Sequence, residues 1–179
     1  MRLRCRWWGV STGTGHRYFG LLLLRRHPSA VIQIGQNAVF RSSPSSNTIG
    51  LNRRCFLSAD GGAELIIGDD CGFSATVISA GYSIRIGDRV MCGANVTITD
   101  SDRHPLAAAA RHAGQPGVSA AVIIEDDVWL GMNVLVLKGV TIGKGAVVAA
   151  NSVVSQNIPS YSLAAGVPAR ALPGTEVTP

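Results

Sequence analysis

The sequence predicts an all-β chain wound as a parallel β-helix, and three observations carry that expectation. An aliphatic side chain returns every six residues, and Ile124, Leu130, Val136, Ile142, Val148 and Val154 keep the count without a slip. Small or turn-forming residues fill the positions between them, as in Asp126-Asp127, Met132-Asn133, Lys138-Gly139 and Lys144-Gly145. Aromatic residues make up only 6% of the chain while Gly occurs 21 times in 179 residues, so the interior must stack many small and β-branched side chains. A period of six fits neither a helical heptad nor simple strand alternation. It marks units of one short strand and one turn, stacked into a tube.

In chain order, residues 1–30 lack the pattern, and the WWG, GTG and Leu-rich stretches predict an irregular N-terminal cap. The repeat body is expected over 31–158. Loose copies begin at Ile34-Gly35 and Ile49-Gly50. Ile67, Phe73 and Ser79 then keep step, one extra residue intervenes near Tyr82, and Ile86, Cys92 and Ile98 continue. The aliphatic residue is expected to point into the tube, and the small residue after it to allow a tight bend. The fifth position (Val128, Val134, Val140, Ala146, Ser152) is small or β-branched, as a strand in a narrow tube requires. Three units make one coil, so residues eighteen apart should stack. At DSDRHPL, Asp100 to Leu106, the count breaks and resumes at Ile124, which predicts an inserted loop at about 104–121. Residues 159–179, with Pro159, Pro168, Pro173 and Pro179, predict a coil leaving the tube and a tail.

No apolar run is long enough to span a bilayer. The best candidate, Phe19 to Leu24, ends at Arg25-Arg26 and is too short and too far in for a secretory signal. A cytoplasmic location is expected, with at most peripheral membrane contact. Cys5, Cys55, Cys71 and Cys92 form no CxxC pair and read as buried free thiols, not as a zinc site or a disulfide framework. The net charge of +5 is uneven, because no acidic residue precedes Asp60. A basic end suits an anionic partner or a solvated face, and no nucleic-acid module accompanies it.

The run IEDDVWLGMNVLVLKGVTIGKGAVVAANSVVSQNIPSYSLAAGVPAR, with FSATVISAGYSIRIGDRVMCGANVTITDSDRHPL upstream, resembles the hexapeptide-repeat acyltransferases. It is most similar to the branch of the galactoside, maltose and polysaccharide O-acetyltransferases, over roughly Ile34 to Arg170. The specific parts are TDSDRHP, VWLGMN and AAGVPAR. The resemblance implies a left-handed coil, a homotrimer with sites between subunits, and acetyl transfer from acetyl-CoA as co-substrate, with no tightly bound cofactor and no metal. The hand runs against the usual rule for parallel crossovers and comes from the resemblance alone.

His104 matches the family's general base. A neutral imidazole can take the proton of an acceptor hydroxyl as its oxygen attacks the thioester. Asp100 or Asp102 is placed to hold the other imidazole nitrogen, and a turn role fits either equally well. The resemblance assigns the coenzyme to Trp129, Met132, Ala150, Ser155 and Arg170. By the count of eighteen, Met132 and Ala150 share an edge with Gly166 just beyond. Gln156 and Pro173 depart from the basic residues common in the family. Ser74 falls about where galactoside acetyltransferase carries an acceptor-binding Asn, which implies a different acceptor. The expected activity is O-acetylation of a sugar hydroxyl, in surface polysaccharide or lipopolysaccharide synthesis. An amino or nucleotide sugar, or a small xenobiotic, acetylated on nitrogen is the alternative. A zinc carbonic anhydrase on the same fold needs three converging His, whereas only His104 and His112 lie in the repeat region. A non-catalytic scaffold leaves His104, Trp129 and Arg170 without a role.

Overall fold

The structure is a computed structural model that describes residues 2–177. Its backbone winds through six coils, each laying one short strand on each of three parallel sheets. The coils run β1 Ser11–Thr12, β2 Arg17–Phe19, β3 Leu23–Arg26; then β4 Val31–Ile34, β5 Val39–Arg41, β6 Phe56–Ala59; then β7 Glu64–Ile67, β8 Gly72–Ser74, β9 Val77–Ala80. They continue with β10 Ser83–Ile86, β11 Met91–Ala94, β12 Thr97–Thr99; β13 Val122–Ile124, β14 Trp129–Leu130, β15 Leu135–Val136; and β16 Thr141–Ile142, β17 Val147–Val148, β18 Val153–Val154. The first strands of the coils form the first sheet, and the second and third strands form the other two. The result is a three-sided, left-handed parallel β-helix.

The hexad residues do what their spacing predicts. Ile124, Leu130 and Val136 pair in register with Ile142, Val148 and Val154, and all six are buried. The fifth-position residues Val128, Val134, Val140, Ala146 and Ser152 are buried with them. Tyr18, Phe40 and Phe73 stack inside the upper coils at 5.5 and 5.2 Å between ring centroids. The turn formers take the strained corner. Asp127, Asn133, Gly139, Gly145 and Asn151, six apart, all adopt left-handed φ between 58° and 77°.

The small residue after the aliphatic one has a different reason from the expected bend. Gly68 and Gly131 do not have left-handed φ. A Cβ on Gly68 would lie 2.7 Å from the Gly87 carbonyl carbon, and one on Gly131 would lie 2.6 Å from the Ala150 nitrogen. The next coil approaches too closely for a side chain. On the corner between the first and second sheets, aspartates cap that contact. The Asp88 and Asp126 carboxylates accept the N–H groups of Asp69 and Asp88 at 2.8 and 3.0 Å.

Four local expectations change. The tube begins at Ser11, inside the stretch expected to be an irregular cap. Thr12, Tyr18 and Leu24 stand in register with Ile34, Phe40 and Leu57, so the six-residue spacing is present but carried partly by Thr and Tyr. Only α1, Arg2–Trp7, caps the open end, where it buries Cys5. Ile49-Gly50 is not a repeat, because Ile49 is 66% exposed in a loop at 42–55 between β5 and β6. Ile78, not Ser79, fills the tube, paired with Leu57 and Ile98. Residues 162–176 form a hairpin and not a coil: β19 Ser162–Gly166 pairs with β17, and β20 Ala169–Glu176 folds back antiparallel on it, burying Ala164 and Ala169 against the last coil. Pro179 lies outside the described residues.

The expected inserted loop is present. Residues 100–121 leave the corner between the third and first sheets, carry the short α2, Ala108–His112, and return through a Ser101–Ser119 bridge. No helix among the described residues is long and apolar enough to cross a membrane.

Candidate functional site

The prism has three edges and three faces, and the predicted site residues fall into three groups on it. The first group is the His104 loop on the edge between the third and first sheets. Asp100 is fully buried at the base of this loop, and its carboxylate accepts the N–H groups of Gly81 and Tyr82 at 2.6 and 2.8 Å. Both oxygens are thereby engaged with the turn of the coil above. Asp102 forms an ion pair with Lys138 of the coil below at 2.6 Å. Arg103, at φ 64°, reaches Asp60 and the Ser79 hydroxyl. Neither aspartate holds the His104 imidazole. The turn role, open in the sequence, is the one Asp100 fills, and Asp102 anchors the loop. His104 is exposed beyond these anchors, its N–H bonded to the Asp102 carbonyl at 2.7 Å. His112 is exposed on α2. Ser155 follows β18 on this same edge, one coil below Leu137.

The second group lies on the edge between the second and third sheets. Asn151 donates its N–H to the Met132 carbonyl at 2.8 Å, and Asn133 Nδ2 donates to Asn151 Oδ1 at 3.0 Å, so Met132 and Ala150 stack as the count of eighteen predicts. The Gly166 N–H reaches Ser152 Oγ at 3.1 Å and prolongs the line. Arg170 follows on β20, opposite Ala165 and exposed. At the upper end, the loop 42–55 covers the edge. Leu51 packs with Ala75, Ala94 and Met132, while Arg53 donates to the carbonyls of Ala75 and Val96, both at 3.0 Å. Sequence reasoning missed this loop because Ile49-Gly50 imitates a repeat. The run SSPSSN just before it is the turn signal that marks it.

The third group is on the face of the second sheet. Trp129 is 52% exposed beside Met91 of the coil above. Together with Ser74 they line a hollow of about 400 Å³ that also includes Arg17, Arg41, Asn47 and Gly72. The Ser74 hydroxyl accepts from Asn47 Nδ2 at 3.2 Å. Ser74 and Trp129 are therefore brought together. A hollow of similar size on the first sheet, around Arg85, Ile123 and Glu125, contains none of the predicted site residues.

The His104 edge lies opposite the face that carries Trp129 and Ser74, so one chain does not assemble all three groups. The four cysteines are buried and free. Burial pushes the Cys71 thiol up to about 11 and holds Cys92 higher still, which keeps both as unreactive thiols. Among the described residues no group of three His, Cys, Asp or Glu is placed to hold a metal ion.

Residues 121–156 match the family model described as bacterial transferase hexapeptide (six repeats), and residues 64–100 match the hexapeptide repeat of succinyl-transferase. The galactoside O-acetyltransferase of Escherichia coli is 37% identical over 100 residues, covering 56% of this chain and 48% of the relative. A 2,3,4,5-tetrahydropyridine-2,6-dicarboxylate N-acetyltransferase of Staphylococcus aureus is 47% identical over 58 residues, 32% of this chain and 24% of the relative. The chain spans less than half the length of the curated relatives it matches. Among solved structures, a hexapeptide-repeat-containing acetyltransferase from Vibrio cholerae superposes with a TM-score of 0.64 at 26% identity, over 99% of this chain and 79% of that one. The chain is thus built of hexapeptide repeats and resembles the galactoside O-acetyltransferases in sequence and in fold.

Proposed function

From a chain built of hexapeptide repeats, we propose an acetyl-CoA-dependent acyltransferase that moves an acetyl group to a sugar hydroxyl in surface polysaccharide or lipopolysaccharide synthesis. The observation that carries this reading is the straight edge Met132–Ala150–Gly166, ending at Arg170 and bordering the face that holds Trp129 and Ser74. A pantetheine arm needs a long groove of small residues, and Arg170 is an exposed cation for a phosphate at its end. Trp129 flanks the reacting thioester, and Ser74 and Asn47 meet the acceptor. Ser155 stands on the His104 edge of its own chain and meets coenzyme held by a neighbour.

The base comes from a second copy. His104 is opposite the Trp129 face, so a ring of copies in which each His104 edge meets the next copy's groove completes every site. A closed, head-to-tail trimer does this for a three-sided prism. In the reaction the His104 imidazole takes the acceptor hydroxyl's proton while that oxygen bonds to the thioester carbonyl carbon. The carbon–sulfur bond then breaks, and coenzyme A leaves as its thiolate. A cytoplasmic location supplies the acetyl-CoA.

The test is thiol release from acetyl-CoA with a panel of saccharides and amino sugars. His104→Ala should leave mass and coenzyme binding unchanged and lower turnover by about 10²–10⁴-fold, the range for a positioned acid–base group. His112→Ala should cost much less. Full turnover by His104→Ala, or by a stable monomer in sedimentation, refutes this assignment. Preferential release with amino sugars refutes the hydroxyl acceptor.

A further inference from the structure

We propose that the hollow on the second sheet is built for a saccharide that carries an anionic group, a phosphate or a carboxylate, with Arg17 as the partner of that anion. This names the acceptor class and rests on the acyl-transfer reading above. The outward side chains of one row across that face, in register, are Arg17, Val39, Gly72, Met91 and Trp129. The row has one gap. A Cβ built on Gly72 meets nothing within 4 Å, so the missing side chain opens the hollow between Val39 and Met91. In the adjacent row Phe19, Arg41 and Ser74 follow in register, and Asn47 reaches Ser74 from the loop 42–55.

These parts have separate chemical uses. The Trp129 ring and Met91 form an apolar wall, which suits the C–H face of a sugar ring. The Ser74 hydroxyl and the Asn47 amide suit its hydroxyls. At the far end stand two guanidinium groups. Arg41 is partly engaged, donating to the Ser46 carbonyl at 2.8 Å and lying 4.8 Å over the Phe19 ring. The Arg17 backbone is held in β2, its N–H donating to the Ala38 carbonyl at 3.0 Å, while its side chain is exposed and its guanidinium makes no side-chain hydrogen bond or ion pair among the described residues. The one carboxylate at the hollow among the described residues, Asp70, accepts from Asn37 Nδ2 at 2.9 Å. Two arginines against one aspartate leave an excess positive charge, and the first two coils add no acid because none precedes Asp60. A neutral acceptor gains nothing from such an end, whereas an anion gains charge-assisted, forked hydrogen bonds.

Calorimetric titration of the full chain with glucose, glucose 1-phosphate, glucuronate and inorganic phosphate tests this, alongside thiol release from acetyl-CoA. The parent should bind glucose 1-phosphate or glucuronate at least about tenfold tighter than glucose, the value of one hydrogen bond to a charged group. The stronger of the two identifies the anion. Arg17→Gln should remove the preference and leave glucose binding unchanged. The Cβ introduced by Gly72→Val meets nothing within 4 Å, and the added side chain should weaken every saccharide at unaltered melting temperature. The proposal is overturned by equal affinity for glucose and its phosphate, by a preference that survives Arg17→Gln, or by inorganic phosphate binding as tightly as the phosphosugar. Binding with the expected Arg17 dependence, but without thiol release for any acceptor, refutes acyl transfer and leaves the anionic-saccharide site standing.

Discussion

Asp100 is where a structural and a catalytic role separate cleanly, and Asp100→Asn is the perturbation that reads the difference. The native carboxylate is fully buried and accepts two backbone N–H groups, from Gly81 at 2.6 Å and Tyr82 at 2.8 Å. An Asn side chain keeps one acceptor oxygen and turns its NH₂ toward the second N–H, so one charge-assisted bond is lost and one buried donor is orphaned. A bond to a charged group contributes about 1.5–3 kcal/mol, and an unsatisfied buried donor costs about 1–3 kcal/mol. The two descriptions overlap, and about 2–4 kcal/mol is the expected loss. For a chain of this length that is about 4–16 °C in melting temperature. The assay is denaturant unfolding beside thiol release measured across pH. The His104 imidazole makes no bond to Asp100, so the remaining folded protein should keep the parent's pH profile. An unchanged unfolding midpoint with a displaced pH profile would show that Asp100 orients the imidazole after all and would refute the reasoning.

Arg170→Ala should raise the Michaelis constant for acetyl-CoA more than for its dephosphorylated analogue; equal effects would place the guanidinium elsewhere on the coenzyme. The native protein should resist thiol-specific reagents below about pH 9, because burial raises Cys71 to about 11 and Cys92 further, and full labelling should need denaturant; rapid native labelling would contradict the packed tube. The Arg89 guanidinium beside Asp127, at 2.6 Å, holds that carboxyl below its usual range. A folded pKa below the unfolded one contributes stability above the unfolded value and loses it as pH falls through the folded value. Arg89→Gln should therefore lower stability slightly at neutral pH and leave it unchanged in acid, as urea midpoints taken on both sides of pH 4 would show.

By itself the sequence determined the tube. Each hexad buries its own aliphatic residue and turns on its own Asn, Asp or Gly, so the signal is local and Ile124 to Val154 could be placed residue by residue. The inserted loop was legible for the same reason, since a strict count shows where it stops. The count also put Met132 over Ala150. Tertiary structure decided what side-chain type concealed. Thr12 and Tyr18 complete a first coil because backbone pairing to β4 and β5 recruits them, whatever their hydropathy. Ile49-Gly50 has the repeat's letters but no neighbouring coil to bury it. The glycines after Ile67 and Leu130 answer to the distance between coils, which no single coil contains. The alternatives left open for Asp100 and Asp102 closed only when their partners, Gly81 and Tyr82 above and Lys138 below, were brought from adjacent turns. Winding also set His104 on the edge opposite Trp129 and Ser74, because an edge and its facing sheet are separated by the packed interior itself.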